Sequence, residues 1–415
     1  MDYAVKDLAL AEQGKKNIQW AQSQMGALLE IQKRFEKELP LKGARIGMAL
    51  HVTKETAVLV RTLIAGGADV AIASCNPLST QDDVAAALAV DGVRVYGYKG
   101  ETKEDYYKFI TAVIAFKPNI TIDDGCDLVS EIHNKHQQLI PHIWGGCEET
   151  TTGVVRLKAM KKDNALKYPI IAVNDNKTKH LTDNFYGSGQ STLDGIIRAT
   201  NILFAGKVVV VAGYGSCGKG VALRASGMGA NVVVTEVDAF RALQATLDGY
   251  RVMPMAEAAP VGDIFITVTG NKAIIRKEHM EKMKDGAILA NSGHFDVEID
   301  VVYLENNAKK SIRPSLNEYT LPSGKKIYLC GEGRLVNLAA AEGHPSEVMA
   351  MSFCGQALAV EHIVKNKGRL PVDVITLPDS IDDTISRLQL NVMGIRFDQL
   401  TKEQDSYLNS WQEGT

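Results

Sequence analysis

The sequence predicts an α/β protein made of two doubly wound parallel-sheet domains, and three observations predict it. Strand and helix patterns alternate from Ala44 to Asp123 in the rhythm of βαβ units. A second alternation starts from a continuous valine run, Val208–Val211, that enters a glycine-rich turn. The chain of 415 residues also exceeds what one hydrophobic core usually organises, so two or three domains are expected.

Composition supports a folded protein: 45% of residues are hydrophobic and 23% charged. A net charge of −3 gives no electrostatic case for nucleic acid or a membrane surface as partner. No apolar run reaches the ~18 residues of a membrane span. Met1–Val5 lacks the charged and apolar regions of a signal peptide. Six scattered cysteines without a CxxC read as reduced thiols, and a cytoplasmic location is expected.

Taken in order, the chain opens with a polar helical pattern over Ala9–Lys37, closed by Pro40 and Gly43. Apolar β-rich runs then predict strands over Ala44–Leu50, Asp69–Ser74, Val93–Tyr98 and Asn119–Asp123. Between them lie helical patterns over Lys54–Ala65, Gln81–Val90 and Lys103–Phe116. This half has no glycine fingerprint, so its sheet is expected to bind something other than a dinucleotide. Ligands of parallel sheets sit beyond the carboxyl ends of the strands. There the chain places His51, Ser74-Cys75-Asn76, Asp123–Asp127, Cys147–Thr152, Asn174-Asp175, Lys179 and Asp183-Asn184. Capping accounts for any one of these but poorly for seven clusters around one sheet.

The second half is organised by Lys207–Gly220. Here Gly213 suits the tight turn, Gly215 the approach of backbone to a pyrophosphate, and Gly218 the close packing of helix on strand. The helix that follows offers free N–H groups to phosphates. Asn231–Thr235 reads as the next strand, and Glu236, eighteen residues past Gly218, suits ribose hydroxyls and would repel a 2′-phosphate. The expectation is a Rossmann-like domain that binds NAD rather than NADP. Later strands are expected at Ile264–Thr269, Ala287–Asn291 and Ile327–Cys330, with Thr269-Gly270-Asn271 and Asn291–Asp296 at strand ends. Gly331–Asn337 and Gly343-His344-Pro345 follow. Ser346–Lys365 reads as one long amphipathic helix returning to the first domain, and the tail from Gly394 carries a helical patch at Lys402–Trp411.

Three features resemble sites without the required pattern. His133, His136 and His142 lack the i, i+4 spacing of paired ligands on a helix and read as a solvated helix face. Asp123–Asp127 lacks the acid at position twelve of a calcium loop, where Asn134 stands. Lys158–Lys162 reads as a wet basic face. No metal is expected.

The clusters, in this order, resemble the S-adenosylhomocysteine hydrolase family from Gly43 to about Leu408. The motifs that carry the likeness are His51–Thr56, Cys75–Asp82, Asp123–Asp127, Glu148–Gly153, Thr178-Lys179 with Asp183-Asn184, the turn at Gly213, Gly293–Glu298 and Gly331–Leu338. The resemblance implies a discontinuous substrate domain, residues 1–184 and 343–393, hinged to an NAD domain, 185–342, with a short tail, 394–415. It also implies a homo-oligomer, a tetramer, acting on a small S-nucleosyl-homocysteine. The implied chemistry oxidises the ribose 3′-OH with held NAD, which acidifies the C4′ proton. Homocysteine then leaves, water adds at C5′, and the returned hydride restores the alcohol.

By the same resemblance, Lys179 and Asp183 handle the 3′-OH proton, which requires burial and neighbours to lower the lysine pKa. Asp124 with His51 moves protons at C4′ and the 5′ side, and Glu149 holds ribose hydroxyls. Asn184 positions Lys179 and cofactor, Thr53 and Glu55 meet the purine edge, and His294 and His344 close over the nucleoside. Thr150, Thr151, Thr152, Gly213, Gly215, Gly218, Glu236, Asn271 and Asn337 are implied in cofactor binding. Three departures stand out. Ser216-Cys217 replaces an acid and a valine, and Ser188 replaces a frequent cysteine. The chain also ends at Gln412–Thr415, where longer members carry a lysine- and tyrosine-bearing tail. The short form resembles archaeal members, including methanogen ones that take S-inosylhomocysteine, which tilts the expectation to the inosyl substrate with the adenosyl compound as alternative. An ordinary NAD dehydrogenase needs neither the Glu-Glu-Thr-Thr-Thr nor the Asp-Asp-Gly cluster, and an NAD-sensing module needs no Lys179, Asp183, His51 and Asp124 together.

Overall fold

A computed structural model describes residues 2–412. In chain order the strands are β1 (Tyr3–Ala4), β2 (Arg45–Ala49), β3 (Asp69–Ala73), β4 (Arg94–Tyr96), β5 (Ile120–Asp123), β6 (Gly145–Glu148), β7 (Ile170–Ala172), β8 (Val208–Ala212), β9 (Asn231–Thr235), β10 (Arg251–Val252), β11 (Ile264–Thr267), β12 (Ala287–Asn291), β13 (Ala308–Arg313), β14 (Leu316–Thr320), β15 (Lys326–Cys330) and β16 (Val374–Ile375). They form two eight-stranded sheets. The first runs β1-β4-β3-β2-β5-β6-β7-β16, and every pairing in it is parallel. The second runs β10-β9-β8-β11-β12-β15-β14-β13, parallel as far as β15 and then antiparallel. Both doubly wound sheets expected from the sequence are present.

The strands are buried because helices cover both faces, which is why Val209, Val210 and Val211 are all fully enclosed rather than alternating. Strand β13 is exposed throughout. Its Lys309, Lys310 and Arg313 charge the open edge of the second sheet, which discourages edge pairing.

Three readings are corrected. The N-terminal helical pattern is two helices, Ala11–Gln24 and Gly26–Glu38, broken at Met25. Ser346–Lys365 is one helix, but it is buried on most of its surface and joins the core of the first sheet through residues such as Phe353, Ala357 and Ile363. Of its polar positions, Ser346, Ser352, Gln356 and Glu361 all lie inside the protein. His133 is not solvated: its Nδ1 bonds the Val129 carbonyl and its Nε2 accepts from the Lys167 amide, against the Tyr168 ring. The tail helix is Lys402–Leu408, and Glu413–Thr415 lie outside the described residues. Among the described residues, no helix is long and apolar enough to cross a membrane.

Candidate active site

The central strands β2, β5, β6 and β7 all end on one side of the first sheet, and each hands a functional residue to that edge. His51 follows β2, Asp124 follows β5, Glu149 follows β6, and the segment after β7 carries Lys179. That last segment is irregular. A short helix, Lys177–His180, is followed by a π-helical turn, Asp183–Gly187. Wide turns of this kind recur at functional sites because they re-aim side chains. Here the turn brings Asp183 and Asn184 back onto Lys179.

The Lys179 ammonium is 5% exposed. It donates to Asn184 Oδ1 at 2.8 Å and Asn174 Oδ1 at 3.2 Å, and lies 3.4 Å from Asp183 Oδ2 and 3.9 Å from Glu149 Oε1. Burial pulls its pKa down, but Asp183, Glu149 and Asp124 outweigh burial and hold it above the ordinary lysine value. This corrects the sequence expectation of a lowered lysine pKa: three carboxylates converge on the amine, so it is an ammonium in the protein alone. Glu149 is pushed up to about 7, chiefly by burial, with Lys179 opposing. Ser352 Oγ (2.5 Å) and Gln356 Nε2 hold its two oxygens. Burial raises Asp183 less than Lys179 and His344 lower it, so Asp183 stays ionised. His344 Nδ1 bonds its other oxygen.

A second cluster lies beside the first. Asp124 sits between two histidines, with Oδ2 3.4 Å from His51 Nε2 and Oδ1 3.4 Å from His294 Nδ1. His51 comes from the first sheet and His294 from the loop after β12, so this contact joins the two halves. Burial drops His51 to about 4 against the pull of Asp124, leaving it neutral at pH 7. Its Nδ1 is fixed by Ser79 Oγ at 2.7 Å and faces Cys75 Sγ at 3.3 Å. Ligand-type atoms of His51, Asp124 and His294 lie within 4.8 Å of one another, a spacing that the direct His–Asp contacts account for. Gly125, at φ +106°, lies directly against the His294 ring, and a Cβ has no room there.

At the end of the cavity lined by Thr53 and Glu55, Thr53 caps the helix Lys54–Ala65 by accepting from the Thr56 amide. Glu55 accepts from Ser346 Oγ at 2.6 Å and lies 3.3 Å from Lys54 Nζ. On the opposite wall, Gly213 has φ +108°. The Gly218 Cα lies against the Gly213 carbonyl, as close helix–strand packing requires, while a Cβ on Gly215 would meet only Arg241, at 3.6 Å. Glu236 accepts amides of Tyr214 (2.7 Å), Val237 (2.7 Å) and Asp238 (3.0 Å), which fixes its carboxylate at the end of β9.

Every site residue expected from the sequence lines one cavity of about 990 Å³, Gly218 alone excepted, since it is spent on packing. The fit to a dinucleotide does not rest on the glycines alone. Asn337 donates to Ser191 Oγ at 3.1 Å, yet its buried Oδ1 has no partner among the described residues, an acceptor held ready for a bound amide or hydroxyl. Sequence reading missed Ser346, Ser352 and Gln356 as supports of Glu55 and Glu149. The signal available was a pair of polar residues four apart in an apolar helix. It also missed Glu148 as a brace: its Oε1 accepts from the Gly125 amide (2.9 Å) and the Thr150 amide (3.0 Å), tying the Asp124 loop to the threonines.

Comparison with known proteins agrees with this geometry. A family model described as S-adenosyl-L-homocysteine hydrolase matches residues 2–138, and its NAD-binding domain model matches residues 184–343. Adenosylhomocysteinase of Sulfurisphaera tokodaii is 61% identical across the whole of both chains. S-inosyl-L-homocysteine hydrolase of Methanocaldococcus jannaschii is 59% identical, also over the whole of both chains. Among solved structures, a dipicolinate synthase chain of Bacillus halodurans aligns with a TM-score of 0.50 at 14% identity, covering 78% of this chain and 99% of that one, a likeness of fold. The chain belongs to the S-adenosyl-L-homocysteine hydrolase family and is a thioether hydrolase with NAD as its cofactor.

Proposed function

We propose that the Lys179 cluster and the Asp124 cluster divide the proton transfers of thioether hydrolysis between them, on a purine S-nucleosyl-L-homocysteine. What supports this reading is that two separate proton-handling clusters open on the cavity that also holds the dinucleotide turn. A simple alcohol oxidation needs only one. Bound NAD would supply reversible hydride exchange with the ribose 3′-carbon, so that no net oxidation results. Gly213, Gly215, Glu236, Asn271 and Asn337 hold it from one wall, with Thr150, Thr151 and Thr152 from the other.

Lys179 takes the proton of the 3′-hydroxyl and gives it back. As an ammonium it must first lose a proton, and Glu149, at about 7 and 3.9 Å away, is the carboxylate suited to receive it. Asp183 and Asn184 keep the amine aimed, and the Glu149 oxygens also accept ribose hydroxyls. Asp124 and neutral His51 remove the C4′ proton, protonate the departing sulfur, and accept a proton from the water that adds at C5′. His294 and His344 exclude bulk water from this end. We further propose that residues 1–184 with 343–393 move as one substrate domain against 185–342, hinged at the two crossings.

For the base, Ser346 occupies one oxygen of Glu55 and leaves the other as an acceptor. An acceptor takes N6–H of adenine or N1–H of hypoxanthine equally, and the Thr53 hydroxyl can donate or accept. Both the adenosyl and inosyl compounds are therefore accepted, with kcat/KM values within about tenfold, since no buried group is left unpaired by either. Thiol release measured side by side on the two compounds tests this. No release from either overturns the reaction, and a preference far beyond tenfold overturns the account of the base.

A further inference from the structure

His180 ends the helix that carries Lys179 and bridges to the second half of the molecule. Its Nε2 is 2.9 Å from Ser216 Oγ, in the phosphate turn, and its Nδ1 is 3.3 Å from Asn184 Nδ2. Donor and acceptor bookkeeping fixes the protons. The Lys179 ammonium only donates, so the Asn184 atom it meets at 2.8 Å is the carbonyl oxygen. The Asn184 amide nitrogen therefore faces His180 Nδ1 and Asn174 Oδ1, the latter at 3.1 Å, and donates to both. His180 Nδ1 must then be a lone pair, which puts the ring proton on Nε2. That proton goes to Ser216 Oγ, and the Ser216 hydroxyl keeps its own proton for another acceptor. Ser216 is the first residue of the helix Ser216–Gly227, directly after Gly215, where a dinucleotide's phosphates are received.

We propose that His180 is a positioning residue that couples the phosphate turn to the Lys179 amine, and that Ser216 is thereby turned into a hydroxyl donor to the cofactor's pyrophosphate. An acid at 216, usual in the family that the sequence resembles, accepts from His180 but cannot donate to a phosphate. Serine with a neutral histidine supplies a donor at the same place.

The arrangement works only while His180 is neutral. Protonation puts an N–H at Nδ1 against the Asn184 NH2. Asn184 then has to turn over, and its amide nitrogen meets the Lys179 ammonium. The groups around the ring are Lys179 on its own helix, Asp175 and the Asn174 carbonyl from the preceding turn, and Arg241 from the helix Ala239–Leu247 of the second half. Burial first, then Lys179 and Arg241, keep the ring below the ordinary histidine value, with Asp175 and the Asn174 carbonyl, which both favour the charged ring, opposing. The neutral form is thus the resident one at pH 7, and the coupling is lost on the acid side.

The first test is independent of any substrate. Long-range proton–nitrogen NMR of ¹⁵N-histidine protein, with the signal assigned by loss in His180→Phe, is expected to show the Nε2–H tautomer. An Nδ1–H tautomer overturns the proposal. The second test titrates apoprotein with NAD. Ser216→Ala and His180→Phe should each weaken binding about tenfold, as for one hydrogen bond to a charged group. The double variant should be no weaker than either single one, because both break the same link. His180→Phe should also lower kcat at least tenfold, and His180→Gln should restore much of it while removing the acid limb of the pH profile. Additive losses, or NAD affinity unchanged in Ser216→Ala, overturn the coupling even if the enzyme remains active.

Discussion

Replacing Lys179 with alanine separates its catalytic from its structural contribution. The side chain donates to Asn174 and Asn184 and lies 3.4 Å from Asp183, which is 2% exposed. Removing one partner of a buried ion pair costs ~3–5 kcal/mol because the other charge stays buried. Two features place the stability loss at the low end of that range. His344 still bonds Asp183, and Glu149 sits at about 7 and so neutralises readily. The kinetic loss has another source. On the proposed assignment the amine takes the 3′-OH proton, and general base catalysis contributes ~10²–10⁴-fold, or ~3–5 kcal/mol of barrier. Thiol release should be measured at a temperature where circular dichroism shows the variant fully folded, together with absorbance at 340 nm after substrate addition. The expected result is NAD still bound, a suppressed 340 nm transient and a rate at least a hundredfold down. A folded Lys179→Ala protein with the full rate would refute the assignment of the amine.

Two other perturbations probe separate parts of the molecule. Glu101 is buried, with Oε1 unpartnered among the described residues, and burial pushes it up to about 7. The folded state therefore binds its proton more tightly than the unfolded state does, and stability falls as pH rises from about 4.5 to 7 by up to ~3 kcal/mol. Glu101→Gln should remove that slope and melt higher than the parent at pH 8, whereas a parent–variant difference constant from pH 5 to 8 counts against it. Asn337→Ala removes an otherwise unpaired acceptor from the cofactor wall and should weaken NAD binding by ~1–3 kcal/mol, about 5–150-fold; an unchanged dissociation constant in apoprotein titrations shows that Asn337 does not touch the cofactor.

Much of this was legible in the chain because chemistry and periodicity coincided. The run Val208–Ala212 into Gly213, and Asn231–Thr235 into Glu236, give strand, turn and acid at fixed distances. Strands β2 and β3 each open on a charged residue and continue as apolar runs, Ile46–Ala49 and Val70–Ala73, while β5 is marked by its β-branched Ile120, Thr121 and Ile122. Legibility failed where a strand is short or lacks side chains. Strand β6 contains Gly145 and Gly146, whose missing Cβ atoms leave room for Ile363 and Thr121, so no hydrophobic period marks it. Strand β7 is three residues long. At the site, residue types indicated which groups gather in the cavity but not their charge. The raised Lys179 follows from three carboxylates arriving from residues 124, 149 and 183, a convergence that only the π-helical turn and strand order create. Ser352 and Gln356 were hidden for a related reason: their partner lies about two hundred residues away in sequence.

That separation also bears on how the chain is made. The helix Ser346–Lys365 fills the core of the first sheet, and β16 adds its last strand beside β7. A ribosome adding ~5–20 residues per second needs on the order of 10–35 s to go from the end of β7 to the start of that helix. Throughout that interval the part of the first sheet's face that receives Phe353, Ala357 and Ile363 lacks the helix that completes its cover. The second sheet, contiguous in sequence from β8 to β15, can complete its core while still being synthesised. The N-terminal half is thus the last to finish folding, and Glu149 gains the hydroxyl and amide that hold it only when the chain is nearly complete. Closing so long a loop adds little to the equilibrium cost, which grows only as the logarithm of length. Its cost is time spent with apolar surface open, so this chain's dependence on chaperones should concentrate in the first half of its own sequence.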